Sequence, residues 1–296
     1  MKKILGLLGL AVIVIAAGYG LKKWRPSVAA PTAGGVVVSG YVPYTLVKQL
    51  GGEETAVEML LPPNAEPHSF EPSPGTLVQV HKAALFVYVS GALEPWVQDV
   101  LGAAGKDTKV VELAAGLPQA QDPHVWMDFG FIVDMARTLT AALVEKDPSR
   151  TAQYQQNLTR FEQEIALLDR EFATALKDCQ SREIVHIGHL AFSALAKRYG
   201  LSLTALAGAS HDAEQSVRKV ADLVKHIRAE KVPALFTEEE VSPRLAQAVA
   251  AETSAEIFPL YTIEHVTKTD FDQAVTYAQL MRRNLESLQK GLKCRK

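Results

Sequence analysis

The chain has 296 residues, 48% of them hydrophobic and 22% charged, with a formal net charge of −2. That length allows one large domain or two of ordinary size, and the composition is that of a globular protein with ample material for a core. A charge so near zero, with no clustered basic stripe, removes the electrostatic reason to expect a nucleic-acid partner.

The chain opens with MKK and then ILGLLGLAVIVIAAGYGL. This uncharged run of about 18 residues is at the lower bound for a spanning helix, and its basic start also describes a secretory signal. Ala16-Ala17-Gly18 and Ser27-Val28-Ala29 are candidate cleavage sites. Cleaved or kept as an anchor, the segment predicts export, to the periplasm or to the outer side of the cytoplasmic membrane. PSVAAPTAGG completes residues 1–35 as a linker of small residues and prolines.

VVVSGYVPYTLVKQLGG then predicts a buried strand, a turn and the start of a helix, and LFVYV and TKVVELAAG predict two further strands. Strands alternating with helices imply parallel βαβ units, hence an α/β lobe over 36–146. Residues 147–179 lack glycine. Leu158, Phe161, Ile165, Leu168 and Phe172 recur there at spacings of three and four, one face of a long helix. EIVHIGH, LSLTALAG, PALFTEE and AEIFPLYT, separated by amphipathic helices, predict a second lobe over 180–296 that ends on one helix from about Asp270 to Leu292. The fold class is therefore α/β, two lobes with mainly parallel sheets joined by one long helix. Cys179 and Cys294 have a spacing foreign to metal sites and are either one disulfide or two free thiols.

Three of the eight histidines stand apart. His68 lies in AEPHSFEPSP, where Pro67, Pro72 and Pro74 stiffen the backbone. His124 lies in DPHVWMD, and His189 in HIGHLAF just beyond an apolar strand. Ligands of α/β sheets bind beyond the carboxyl ends of the strands, where these loops belong. Three converging imidazoles suit zinc, and also copper, nickel or cobalt. Each alone reads as a locally hydrogen-bonded histidine, and the spacing is too long for a zinc finger or an HExxH helix. His81, His211 and His226 sit among charged residues and read as surface groups.

EPHSFEPSP, ALFVYVSGALEPWV, DPHVWMD, GHLAFSALAKRYGL and VSPRLAQAVAAETSAEIFPL follow one another in this order, and YAQLMRRNLESLQKGL closes the chain. Over about residues 36 to 292 they resemble the metal-binding solute-binding proteins of zinc and manganese ABC importers, the ZnuA/TroA-like family. The resemblance implies a rigid connecting helix, a metal in the cleft between lobes, and His68, His124 and His189 as ligands. It implies capture of a divalent metal and delivery to a membrane ABC permease, by a monomer and without catalysis. A histidine at position 189, where manganese-using members tend to carry a carboxylate, favours Zn2+; Mn2+ or Fe2+ is the alternative cargo. The family's late aspartate is missing from PLYTIEHV, so Glu264 is the expected fourth ligand, with His265 or a water as alternatives. GLPQAQ stands where zinc-specific members often insert a histidine-rich loop.

Asp122 and Asp128 flank the second histidine and are expected to accept an imidazole N–H. Ligating imidazoles must be neutral, so affinity is expected to fall below about pH 6.5. Two readings from other classes remain: a zinc-dependent hydrolase with Glu71 or Glu264 as general base, and a metal-binding surface adhesin.

Overall fold

The computed structural model describes residues 35–118, 122–208, 217–238 and 243–295. Strands β1 (Val36–Val38), β2 (Val57–Met59), β3 (Leu85–Tyr88) and β4 (Lys109–Glu112) form a parallel sheet in the order β2-β1-β3-β4. Strands β5 (Glu183–Ile187), β6 (Ser202–Ala205), β7 (Ala234–Thr237) and β8 (Glu256–Pro259) form a second one, in the order β6-β5-β7-β8. Inner strands such as β3, LFVY, are buried along their whole length, as parallel strands covered on both faces require.

The first sheet carries helices α1 (Tyr41–Gly51), α2 (Pro74–Lys82), α3 (Val97–Leu101) and α4 (Phe129–Lys146). Then α5 (Thr151–Ala175) leads into the second lobe, with α6 (Ser193–Arg198), α7 (Val217–Glu230), α8 (Pro243–Thr253), α9 (Lys268–Asp272) and α10 (Tyr277–Gly291). The 25 residues of α5 span about 38 Å at 1.5 Å each. Tyr154, Phe161, Ile165, Leu168 and Phe172 form its buried face, which packs on α1 and α4 of one lobe and α10 of the other. Apolar residues of both lobes and of α5 join in a single core, from Val38 and Val87 through Phe172 to Phe236 and Met281. The lobes are thus tied by shared packing as well as by the helix.

Several boundaries differ from the sequence reading. The expected 147–179 helix is shorter, because Asp147 caps a 3-10 turn at Pro148–Arg150 and the helix stops at Ala175. Cys179 and Cys294 form a disulfide that ties the exit of α5 to the exit of α10. The single closing helix is two: α9 ends near Ala274, at φ 51°, and α10 restarts at a Thr276–Gln279 capping box. Strand β2 and helix α4 had no counterpart in that reading. No described helix is long and apolar enough to cross a membrane. The N-terminal apolar run and linker, through residue 34, and His211 lie outside the described residues.

Candidate metal centre

In the first lobe the connections leaving the edge strands carry two imidazoles. His68 lies between β2 and α2, and Ser73 caps the helix with Pro74 in its first turn. The loop is anchored from the side: the Trp96 indole N–H donates to the Pro67 carbonyl at 2.8 Å, and the Phe70 ring meets Trp96 edge-on at 4.9 Å. His124 follows β4. One oxygen of Asp122 accepts both its backbone N–H, at 2.9 Å, and its Nδ1–H, at 2.6 Å. The other oxygen accepts the Ser193 N–H at 3.1 Å, so Asp122 reaches the opposite lobe. Buried Trp126 lies edge-on to His124 and donates to the Thr262 carbonyl at 2.8 Å, close to the fourth donor.

The second lobe repeats the device. His189 follows β5, and Glu238, first residue after β7, accepts the His189 backbone N–H at 2.8 Å and its Nδ1–H at 2.9 Å through one oxygen. Gly188 makes this approach possible, since a Cβ there would overlap the Glu238 carboxylate and the His186 ring. Glu264 follows Ile263, a buried β-branched residue at φ 65°. Such a residue in the left-handed region stores strain of about 1–3 kcal/mol and persists only where its surroundings enforce it.

With both Nδ1 atoms committed to carboxylates, His124 and His189 are fixed as tautomers that present Nε2 to the cleft. One donor atom each from His68, His124, His189 and Glu264 lies within 4.8 Å of all the others. The two Nε2 atoms of His124 and His189 are 3.0 Å apart, and Glu264 oxygens lie 3.0 Å from His124, 3.3 Å from His189 and 3.4 Å from His68. Four ligands held tetrahedrally at about 2.05 Å from zinc are about 3.4 Å from one another, so these donors need only small shifts to fit the ion. Asp122, His124, His189, Glu238 and Glu264 are all buried.

The electrostatics are those of a site that holds positive charge. Burial alone would lower the His189 pKa, yet the carboxylates of Glu238 and Glu264 raise it to about 10. His124 is raised likewise, burial being outweighed by Asp122 and Glu264. Glu264 is fully buried, which alone would raise its pKa, and the surrounding imidazoles hold it well below the usual carboxylate range. In the metal-free protein these shifts favour positive charge on the imidazoles that surround Glu264.

The four sequence-expected donors are together, and Asp122 is at His124 as expected. Asp128 is elsewhere: it caps α4 through the Gly130 and Phe131 N–H groups and pairs with Arg198 at 3.1 Å. The carboxylate missed by sequence reasoning is Glu238, one of three consecutive glutamates; the glycine in HIGH was its only visible signal. His186 stays on β5, its Nδ1–H donating to the His189 carbonyl at 3.0 Å. His226 pairs with Glu183 at 2.8 Å, as a surface reading allows.

A protein-family profile described as "ZnuA: Zinc-uptake complex component A periplasmic" matches residues 36–291. The chain belongs to this family. It is 30% identical to the high-affinity zinc uptake system protein ZnuA of Bacillus subtilis over 278 residues, 87% of each chain. The zinc-binding lipoprotein AdcA of Streptococcus pneumoniae is 27% identical over 86% of the chain, which spans only 54% of AdcA. Among solved structures, the laminin-binding protein Lmb of Streptococcus agalactiae superposes with a TM-score of 0.80 at 31% identity, covering 87% of this chain and 99% of Lmb. The Zn(II)-bound ZnuA-like domain of Streptococcus pneumoniae AdcA gives 0.78 at 27% identity, covering 88% and 99%. The ZnuA family thus shares the two-lobed architecture built above.

Proposed function

We propose that this ZnuA-family protein captures Zn2+ outside the cytoplasm and hands it to a membrane ABC permease. The observation that carries the reading is the His68–His124–His189–Glu264 group, four donors at near-tetrahedral separations with two of its imidazoles fixed by buried carboxylates. Zinc is cargo here. Binding exchanges the protons held by the imidazoles for the ion, while Asp122 and Glu238 keep His124 and His189 aimed and Trp96 keeps the His68 loop in place. The donor set supports capture over hydrolysis: all four positions around the metal are filled by protein, whereas a catalytic zinc keeps one open. Three nitrogens and one carboxylate favour zinc over manganese, which prefers oxygen. The export signature of the first residues and the periplasmic description of the family support an extracytoplasmic location and a permease partner. Lmb, described as having both adhesin and metal transporting activity, supports adhesion as a second reading.

Metal analysis of protein purified without chelator, with zinc–manganese competition titration, tests the proposal. One zinc per chain is expected. Structural zinc sites are worth about 10–16 kcal/mol, so each ligand supplies roughly 3 kcal/mol, and removing His124 or His189 as alanine weakens binding by a few hundredfold. Manganese retained in preference to zinc would refute the cargo; no metal in any protein would refute the function. Binding to immobilised laminin tests the second reading.

A further inference from the structure

His265 follows Glu264 directly, and its side chain is only 9% exposed. Its Nδ1 atom is shielded from solvent, makes no hydrogen bond, and lies 3.7 Å from Glu264 Oε1. Leaving a buried polar atom unpaired costs about 1–3 kcal/mol, and such atoms call for an explanation.

Two further observations converge on this residue. A crevice too narrow for a water molecule runs from exposed Pro62 past half-buried Pro63 and Ala65 to Glu264 and His265. It brings the surface to the Glu264 edge of the four-donor group, where the His265 imidazole lies beside the carboxylate. The distance also fits: two donors on one zinc ion, each about 2.0–2.1 Å away, are at most about 4.1 Å apart. An ion held by Glu264 Oε1 is therefore within bonding reach of His265 Nδ1 after a small shift.

We propose that His265 is a transit ligand, binding the divalent ion through Nδ1 as the ion joins or leaves the His68–His124–His189–Glu264 group at its Glu264 edge, the crevice widening to pass it. The inference rests on the zinc-capture reading and adds the route of exchange. The bond from the ion to His265 Nδ1 forms as its bond to Glu264 Oε1 breaks, one donor replacing the other. No electron changes place. The ion is never left short of a ligand, and this lowers the barrier to exchange without adding to the equilibrium affinity of the closed site.

The test measures equilibrium and rate on the same proteins. The whole chain is loaded with zinc, then mixed rapidly with excess chromophoric chelator, alongside His265→Ala and His265→Asn; zinc uptake by the metal-free forms is followed too. Expected is an equilibrium affinity within about threefold of wild type in both variants, with release and uptake each slowed tenfold or more. Asparagine can hydrogen-bond Glu264 but is a poor zinc ligand, so it separates transit from mere support of the carboxylate. Unchanged rates in the variants would overturn the proposal. So would weakened affinity in the alanine variant that asparagine restores. Wild type that binds no zinc would bring down the functional reading and this inference together, and is recognised at once because the other outcomes all start from tight wild-type binding.

Discussion

The two sheets share one strand order but equip their crevices differently. Strands β4 and β8 occupy the same place in each sheet and deliver His124 and Glu264, whose facing atoms lie 3.0 Å apart. The third strand of each lobe is followed by a buried glutamate. In the second lobe this is Glu238, clamped onto His189. In the first it is Glu94, fully buried, which accepts from the Val89 and Ser90 N–H groups of its own turn and lies beside the Ser39 hydroxyl. That turn leads to Trp96, and Trp96 holds the His68 loop. Both lobes therefore hold one imidazole by direct carboxylate contact, Asp122 on His124 and Glu238 on His189, and the first lobe adds His68, held instead through a stiffened loop and an indole. The lesson is that equivalent topology fixes where a ligand can be placed but not how it is held.

Substitution of the supporting carboxylates breaks the comparison most severely. Glu238→Gln and Asp122→Asn are each expected to weaken zinc binding by about 10–100-fold, because the amide no longer favours the tautomer that presents Nε2. Competition titration reads the loss. Glu94→Gln, whose carboxyl bonds its own turn rather than an imidazole, should leave the affinity unchanged. If it weakened zinc binding as strongly as Glu238→Gln, the two glutamates would share one role and the contrast between lobes would fail.

Glu94 carries its own consequence for stability. Burial pushes its carboxyl up to about 7, and the Ser39 hydroxyl and the two N–H groups offset this only in part. A raised folded-state pKa means the stabilisation is fully present below the unfolded value near 4.5 and is lost as pH rises through about 7. By pH 8 the loss is on the order of 3 kcal/mol. Denaturant unfolding should show Glu94→Gln recovering most of that at pH 8 and none of it at pH 4.5. A difference independent of pH would mean that Glu94 is charged throughout.

The pH dependence of zinc capture sharpens the same contrast. His189 is raised to about 10 by Glu238 and Glu264, so its proton stabilises the metal-free fold fully below about 6.5 and ceases to do so as pH rises through about 10. Zinc must displace that proton. Affinity is thus expected to rise about tenfold per pH unit within the window from 6.5 to 10, well above the single step near 6.5 expected of free imidazoles. Calorimetry in two buffers of different ionisation enthalpy counts the proton released; a count of zero at pH 8 would contradict the raised pKa.

These features were unequally legible in the sequence. His68, His124 and His189 could be found because each lies in a short loop of distinctive composition, and the alternation of apolar runs with amphipathic segments gave both lobes. Glu264 was only one of three alternatives, because its inward turn depends on the left-handed backbone of buried Ile263, which no local pattern announces. Glu238 was invisible for a different reason: its neighbours Glu239 and Glu240 make it look like one of a charged run. Asp128 was misassigned because α4 had gone unread; once that helix is known, an aspartate immediately before it is an N-cap. Strand β2, three residues at the sheet edge with Glu58 exposed, offers too little apolar surface to stand out.

The smallest expected effect comes from how the helices of the two lobes end. In the first lobe α1 stops at Gly52, φ 82°, a conformation glycine adopts without penalty. In the second, α7 stops at exposed Lys231, φ 51°, while the Val232 N–H bonds back to the Ile227 carbonyl as in a Schellman cap. A lysine side chain in the left-handed region costs about 1 kcal/mol that glycine avoids, partly offset by the greater freedom of glycine in the unfolded chain. Lys231→Gly should therefore raise stability by about 0.5 kcal/mol, a shift of one or two degrees in the unfolding midpoint at this chain length. Zinc affinity should not move, because Lys231 lies at the strand-entry end of the second sheet, beside Val232 and Pro233, and the donors lie beyond the strand exits. Destabilisation by the glycine would show that Lys231 is held by interactions worth more than its backbone strain, and the symmetry of the two helix ends would then be only apparent.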